Sequence, residues 1–521
     1  MTVTETAPAS DAVASAPNRS QTGLERILGG ADHTTLGRAF VLTGLGWFTV
    51  AIIARGVVGA DMVADNGVLG DWLAVVSNSA RVIGPLGLAG ALMGVLYVLV
   101  PLQLASPAIS YPRGAALAFW AWSLAMFIFT VSVAFDGGVG GANTEAARLG
   151  NVSLGVILAS LSLAAVCVAT TVLTHRPPGM GLARVPFSSW AALLGSSLWI
   201  ITMASAFAHV VVGHVSRANA EGLAQNFVGG ILWMSRAPAV YVLAIPILGI
   251  ALDVTSSVTG TRIRFYGLAQ GLVGAFAVLS IGVWAQSDRS INTIVWTLFA
   301  LGIALPVVGI LGLIADSFRR GRFKLTPAVP LVVVSVMFLF GSATAGLLWA
   351  LNLAGSGTLL GFDTRLLGAA QVTFVGASLV TGVIGAVFHW APQFWGAEVR
   401  SAPALAAAGL TILGGSLLTT VVLVQGLIQR NGERPANQLF GVLVVVAAVM
   451  YLLGVLGAFS AIRGTVRAGA DGPPDPEVTG ETLEWALPTP ARGARIPEDL
   501  PEVSSPYPLA PAEESAGEVS R

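Results

Sequence analysis

The sequence predicts an all-α polytopic membrane protein with twelve transmembrane helices, on three observations. Hydrophobic residues make up 55% of the 521 residues and charged residues only 10%, whereas a soluble domain carries about a quarter charged residues. Mean hydropathy is +0.78. Apolar runs of about 20 residues, the length that crosses a hydrocarbon core of roughly 30 Å, recur along the whole chain. Backbone amides in lipid must be satisfied within their own segment, so such runs are helices.

The runs lie near 37–56, 82–100, 115–134, 152–173, 187–212, 227–252, 265–286, 292–314, 328–352, 366–388, 402–427 and 438–462. The second extends backwards, because Leu73 to Ala80 also reads as helix and nothing stops it before Arg81. An even number of spans puts both termini on one side. Connections on that side carry Arg113, Arg176, Arg184, Arg262, Arg264, Arg319, Arg320, Arg322, Lys324 and Arg400. Those opposite carry Arg148, Arg217, Arg289, Arg365, Arg430 and Arg434, and the first of them holds Asp61, Asp65 and Asp71 with no basic residue. The excess of positive charge places both termini in the cytoplasm, in a bacterial-type plasma membrane.

Residues 1–22 lack a charged region followed by an apolar stretch and a cleavage site, so they read as a disordered cytoplasmic tail and not a signal peptide. The membrane domain is expected over 23–467. From 468 to 521 the chain turns to Pro, Glu and Gly, a composition expected to stay disordered and solvated unless a partner folds it. The 27 basic residues balance the 27 acidic ones, which excludes a general nucleic-acid role and leaves the lipid bilayer as the main partner. Cys167 is the single cysteine, so there is no intrachain disulfide, no CxxC metal site and no iron–sulfur cluster held by this chain.

Several short motifs stand at span ends. Ala31-Asp32-His33-Thr34-Thr35-Leu36-Gly37 precedes the first span and Arg55 ends it; Val100-Pro101-Leu102-Gln103 follows the second, with Tyr111-Pro112-Arg113 beyond. Pro178-Gly179-Met180 and Arg184-Val185-Pro186-Phe187, with Trp190, lead into the fifth. Trp233, Pro238, Tyr241 and Pro246 stud the sixth, Trp284-Ala285 closes the seventh, Asp363-Thr364 opens the tenth and His389-Trp390-Ala391-Pro392 ends it. Over roughly residues 30–465 this ordered set resembles subunit I of the heme-copper respiratory oxidases, the cytochrome c oxidase type. A twelve-helix transporter is the competing fold, but there is no evident internal repeat with paired broken helices.

The resemblance implies a reaction that rests on six histidines, because iron and copper centres of this kind need imidazole nitrogens aimed from fixed helix faces. At the matching positions the chain carries other residues. The low-spin heme ligand of the second helix falls at Ser79, the copper ligand of the sixth at Ala237, the histidine pair after the seventh at Gln286 and Ser287, and the two ligands of the tenth at Ala370 and Val372. Tyr241 matches the family's redox tyrosine and is expected to have lost its partner. No heme, copper or other metal site is therefore expected. Of the five histidines, His33, His175 and His389 are expected at the cytoplasmic surface. His209 and His214 lie about 140° apart around one helix and do not share a ligand face.

Small neutral residues at the vacated positions suggest a cavity closed by repacking. Arg81 and Arg236 flank two of those positions and are candidate anion-binding groups, since a guanidinium deep in a bilayer costs at least about 2.5 kcal/mol. The competing reading is that each pairs within the chain or snorkels outward. Three functions follow: a non-catalytic scaffold or accessory component of a respiratory or assembly complex; a catalytic terminal oxidase subunit; and a small-molecule binder or transporter using the vacated space.

Overall fold

The computed structural model describes residues 30, 32–64, 67, 69–216, 238–282, 293–323, 325–354, 361–399, 401–429, 437–469, 480–486 and 503–510. Thirteen α-helices run through the described residues. They are α1 (His33–Val63), α2 (Trp72–Gln103), α3 (Pro112–Ala134), α4 (Thr144–Thr174), α5 (Phe187–Ser216), α6 (Pro238–Thr259) and α7 (Tyr266–Ser280), then α8 (Thr293–Arg320), α9 (Ala328–Ala354), α10 (Thr364–His389), the five-residue α11 (Ala391–Trp395), α12 (Ser401–Ile428) and α13 (Asn437–Gly469). Eleven are long and apolar enough to cross a membrane, and the shorter apolar α7 stands at the seventh expected run, 265–286. The sixth expected run, 227–252, corresponds to α6, described from Pro238 to Thr259. The early part of that run, with Trp233, Arg236 and Ala237, lies outside the described residues, as do Trp284, Gln286, Ser287 and the N-terminal tail.

Helix starts follow from local chemistry. Asp32 accepts a hydrogen bond from the Thr35 amide at 2.9 Å and opens α1. Asn143 accepts from the Ala146 amide at 3.2 Å and opens α4. Asp363 accepts from the Arg365 and Leu366 amides at 2.8 and 3.0 Å and opens α10. In each case a side-chain oxygen satisfies amides that lack an intrahelical partner, which gives the Asp363-Thr364 motif a structural reason. Pro112 and Pro392 occupy first-turn positions of α3 and α11, where a missing N–H costs nothing.

Helix α2 is the hub, buried almost throughout from Val82 to Gln103 and packed between α1, α4, α5 and α10. Its pairing with α1 is close because glycines face each other: a Cβ at Gly44 would meet the Ala91 amide at 2.5 Å, and one at Gly94 would meet the Gly37 carbonyl at 2.5 Å. In lipid, where apolar surface alone does not drive helices together, close backbone approach of this kind holds the pair. Beside it Phe40 packs edge-on against Tyr97 and Phe119 with ring centroids 5.3 and 5.0 Å apart, over the buried Trp122.

The expectation of a solvated C-terminal tail is corrected over two stretches. Residues 480–486, including the short 3-10 turn Leu483–Trp485, and residues 503–510 lie against one end of the bundle as a strap. They touch the end of α2, the α4–α5 and α6–α7 connections and α11. Composition misses this because a few residues carry it. Leu483, Val503 and Tyr507 bury their side chains, and the Leu509 amide donates to the Glu481 carbonyl at 3.0 Å, tying the two stretches together.

Candidate functional site

Two polar centres stand out in an otherwise apolar bundle. The first lies at the strap end. Gln103, last residue of α2 and wholly buried, donates from Nε2 to Asp253 Oδ2 at 3.0 Å and to Glu484 Oε1 at 3.4 Å, and accepts at Oε1 from the Ser189 hydroxyl at 2.7 Å. Asp253 of α6 also accepts from the Phe187 and Ser188 amides at 3.1 and 2.7 Å, so a carboxylate from one helix caps the start of another, α5. Gln103 thus links α2, α5, α6 and the strap.

Glu484 is 1% exposed. Burial, then the neighbouring Asp253 carboxylate, push its pKa up to about 7 against hydrogen bonds from Thr482 and Gln103. Gln393 of α11 donates to the Glu484 carbonyl at 3.4 Å, and Trp485 packs edge-on against His389 with centroids 5.5 Å apart. His389 is therefore buried under the strap, where the sequence alone places it at the surface; Trp390 and Pro392 are buried beside it. Arg262 pairs with Glu481 at 2.8 Å, and Arg184 Nη1 donates to the carbonyls of Gly179 and Val503 at 2.9 and 3.2 Å.

Gly179 gives the Pro178-Gly179 motif its reason. Its φ is +84°, a conformation that favours glycine, and a Cβ there would meet the Val503 carbonyl oxygen at 2.5 Å. Gly179→Ala is expected to weaken strap docking by about 1–2 kcal/mol. Faster amide exchange at residues 503–510, with the rest of the bundle unchanged, checks it.

The second centre is the Tyr241–Gln371–Ser342 cluster of α6, α9 and α10, beside the α10 positions that the resemblance assigns to heme ligands. Ser79 is 1% exposed and its hydroxyl accepts a hydrogen bond from the Val139 amide at 3.2 Å, in the α3–α4 connection. Ala370 is fully buried against Ala345 and Val422, and the half-buried Val372 packs on the core. Between them Gln371 donates from Nε2 to the Tyr241 hydroxyl at 2.6 Å, while its backbone carbonyl accepts from the Ser342 hydroxyl at 3.1 Å. Tyr241 therefore has a hydrogen-bond partner from α10; the family partner expected to be lost falls at Ala237, outside the described residues. A cavity beside Tyr241 and Gln371 has a volume of about 10 Å³, room for roughly one water. Gln371 Oε1 is buried without a hydrogen-bond partner among the described residues.

Arg236, Ala237, Gln286 and Ser287 lie outside the described residues. Arg81 is exposed on α2, two residues past Ser79, and Arg55 is half-buried on α1, near enough to Arg81 for the two charges to repel. Pro101 is buried within the last turn of α2, and its carbonyl accepts from the Ser106 amide at 2.8 Å. Among the described residues no group of three or more His, Cys, Asp or Glu side chains is arranged to hold a metal ion. Sequence reasoning missed Gln371 and Glu484. The available signals were an amide inside the apolar α10 and a Leu-Glu-Trp triplet inside a Pro-rich tail.

Twelve apolar helices, with the motif residues seated at their ends, define a polytopic membrane protein of the respiratory-oxidase subunit I type. The family model described as Cytochrome C and Quinol oxidase polypeptide I matches residues 35–460, and the chain belongs to that family. It is 24% identical over 404 residues to the putative cytochrome c oxidase subunit 1-beta of Streptomyces avermitilis, covering 70% of this chain and 69% of that protein. It is likewise 24% identical over 515 residues to the probable cytochrome c oxidase subunit 1-alpha of Streptomyces coelicolor, covering 88% and 85%. A shorter match, 24% over 336 residues, is to the heme-copper oxidase subunit I+III of Aeropyrum pernix, covering 58% of this chain and 40% of that one.

Proposed function

We propose that this chain is a member of the oxidase subunit I family that has given up oxygen reduction and serves as a membrane scaffold or accessory component of a respiratory or cofactor-assembly complex, with both termini in the cytoplasm. The observation that carries this reading is what occupies the ligand positions. An axial ligand to heme iron must present a nitrogen, sulfur or oxygen lone pair to the metal. Ala370 and Val372 have none, and Ser79 offers only a hydroxyl that already accepts from the Val139 amide. Gln371 and Tyr241 are bonded to each other beside a space of about 10 Å³. The residues present do not fit heme groups at these positions, so no redox step is routed through them.

A working terminal oxidase subunit is the second reading, favoured by the names of the relatives. One preparation separates the two. The protein is affinity-purified from native membranes, its heme and copper are quantified, and a reduced-minus-oxidised spectrum is recorded. The expected outcome is co-purification with respiratory-complex or assembly subunits at heme and copper contents far below one per chain. Stoichiometric heme with copper would overturn the scaffold reading and establish the oxidase.

A further inference from the structure

A further cavity lies on the membrane face of the bundle. It is a groove of about 530 Å³ between α3, α4 and α5, running from Asn151 and His214 at one end to Leu163 at the other. The loop after α4 carries Gly179, which touches the strap, so the start of α4 and the end of α5 stand at the opposite face of the membrane. Asn151 and His214 are therefore near one bilayer surface, and the remaining walls run inward as apolar or small residues such as Ala121, Ala159 and Phe207. Asn151 is 98% buried, being 2% exposed, yet among the described residues its Nδ2 has no hydrogen-bond partner; nor has His214 Nδ1. A buried carboxamide left unpaired is costly, so the groove lacks a group that would pair with it.

Size and polarity identify the occupant. Residues 151 to 163 of α4 span about 18 Å of helix, so 530 Å³ corresponds to a mean cross-section of about 29 Å². A helix about 10 Å across needs roughly 80 Å², whereas a methylene chain at ordinary carbon contact distance is about 5 Å across and needs roughly 20 Å². The polar end lies at the depth where a lipid changes from hydrocarbon to ester. We propose that this groove binds one acyl chain of a membrane glycerolipid, with the lipid's ester carbonyl accepting a hydrogen bond from Asn151 Nδ2. The bound lipid is held at a defined place and differs in this from the lipid that slides over exposed positions such as Leu298 and Leu305 of α8.

The test uses the full chain in nanodiscs of phosphatidylglycerol, a small fraction of it carrying a photoreactive diazirine midway along one acyl chain. Labelling is expected to concentrate on peptides holding Ala121, Ala159 and Phe207, well above those holding Leu298 and Leu305. Ala159→Phe, at an exposed position where the fold tolerates bulk, fills the groove and abolishes the enrichment. Asn151→Leu lowers lipid retention during detergent washing by about fivefold, the worth of one hydrogen bond. Even labelling of all lipid-facing helices, enrichment that survives Ala159→Phe, retention untouched by Asn151→Leu, or a second polypeptide crosslinked in the groove in place of lipid would each overturn the proposal. Where Asn151→Leu fails to fold, Ala159→Phe still decides it.

Discussion

Asp253→Ala is expected to destabilise the bundle by about 3 kcal/mol or more, because it strips partners from three buried donors at once. The Phe187 and Ser188 amides lose the cap that begins α5, and Gln103 Nε2 loses the shorter of its two acceptors. Losing a cap alone costs about 1–2 kcal/mol, and each buried unpaired donor adds its own penalty with no water to replace the carboxylate. Thermal unfolding in detergent should show a large fall in Tm, and amide exchange should be fastest at the first turn of α5 and at the strap. Asp316→Ala, which breaks surface ion pairs to Arg319 and Arg320, is the control expected to do little. A wild-type Tm for Asp253→Ala would mean that Gln103 is not the junction described above.

The second large effect is a pH dependence of strap docking. Glu484 has a pKa near 7 when docked, against an ordinary value of 4.5. A carboxyl group whose pKa is raised in the folded form favours that form when protonated, so docking is strongest below about pH 4.5. It weakens as pH rises towards 7, where the docked carboxyl also ionises, and is constant above that; the whole change amounts to about 3 kcal/mol. Protection of residues 480–486 from exchange or proteolysis should therefore fall between about pH 4.5 and 7. Glu484→Gln keeps the Gln103 contact without the charge, and should dock with no pH dependence over that range. A flat wild-type profile, or one rising with pH, contradicts the buried placement of Glu484 beside Asp253.

Much of the fold was legible in the sequence because lipid imposes one rule on every segment. A run such as Val82–Val100 has to be helix, and motif residues such as Asp363 and Pro392 mark ends by local capping chemistry that needs no knowledge of the rest of the chain. The candidate site was legible only in part. That Ser79, Ala370 and Val372 cannot supply imidazoles is a statement about residue identity. That Gln371 reaches Tyr241, and that Arg81 is exposed, depends on rotation and tilt of helices, which apolar runs do not encode.

The chain by itself determined the class of protein, the order of the apolar helices, the family and the nature of the side chains at the ligand positions, because these rest on composition, run length and local spacing. Tertiary structure alone decided that a tail of disordered composition straps the bundle, that Gln103 joins Asp253 to Glu484, and that a lone amide lines an apolar groove. Those pairings bring together residues up to 381 positions apart, and no local pattern records which distant donor will find which acceptor.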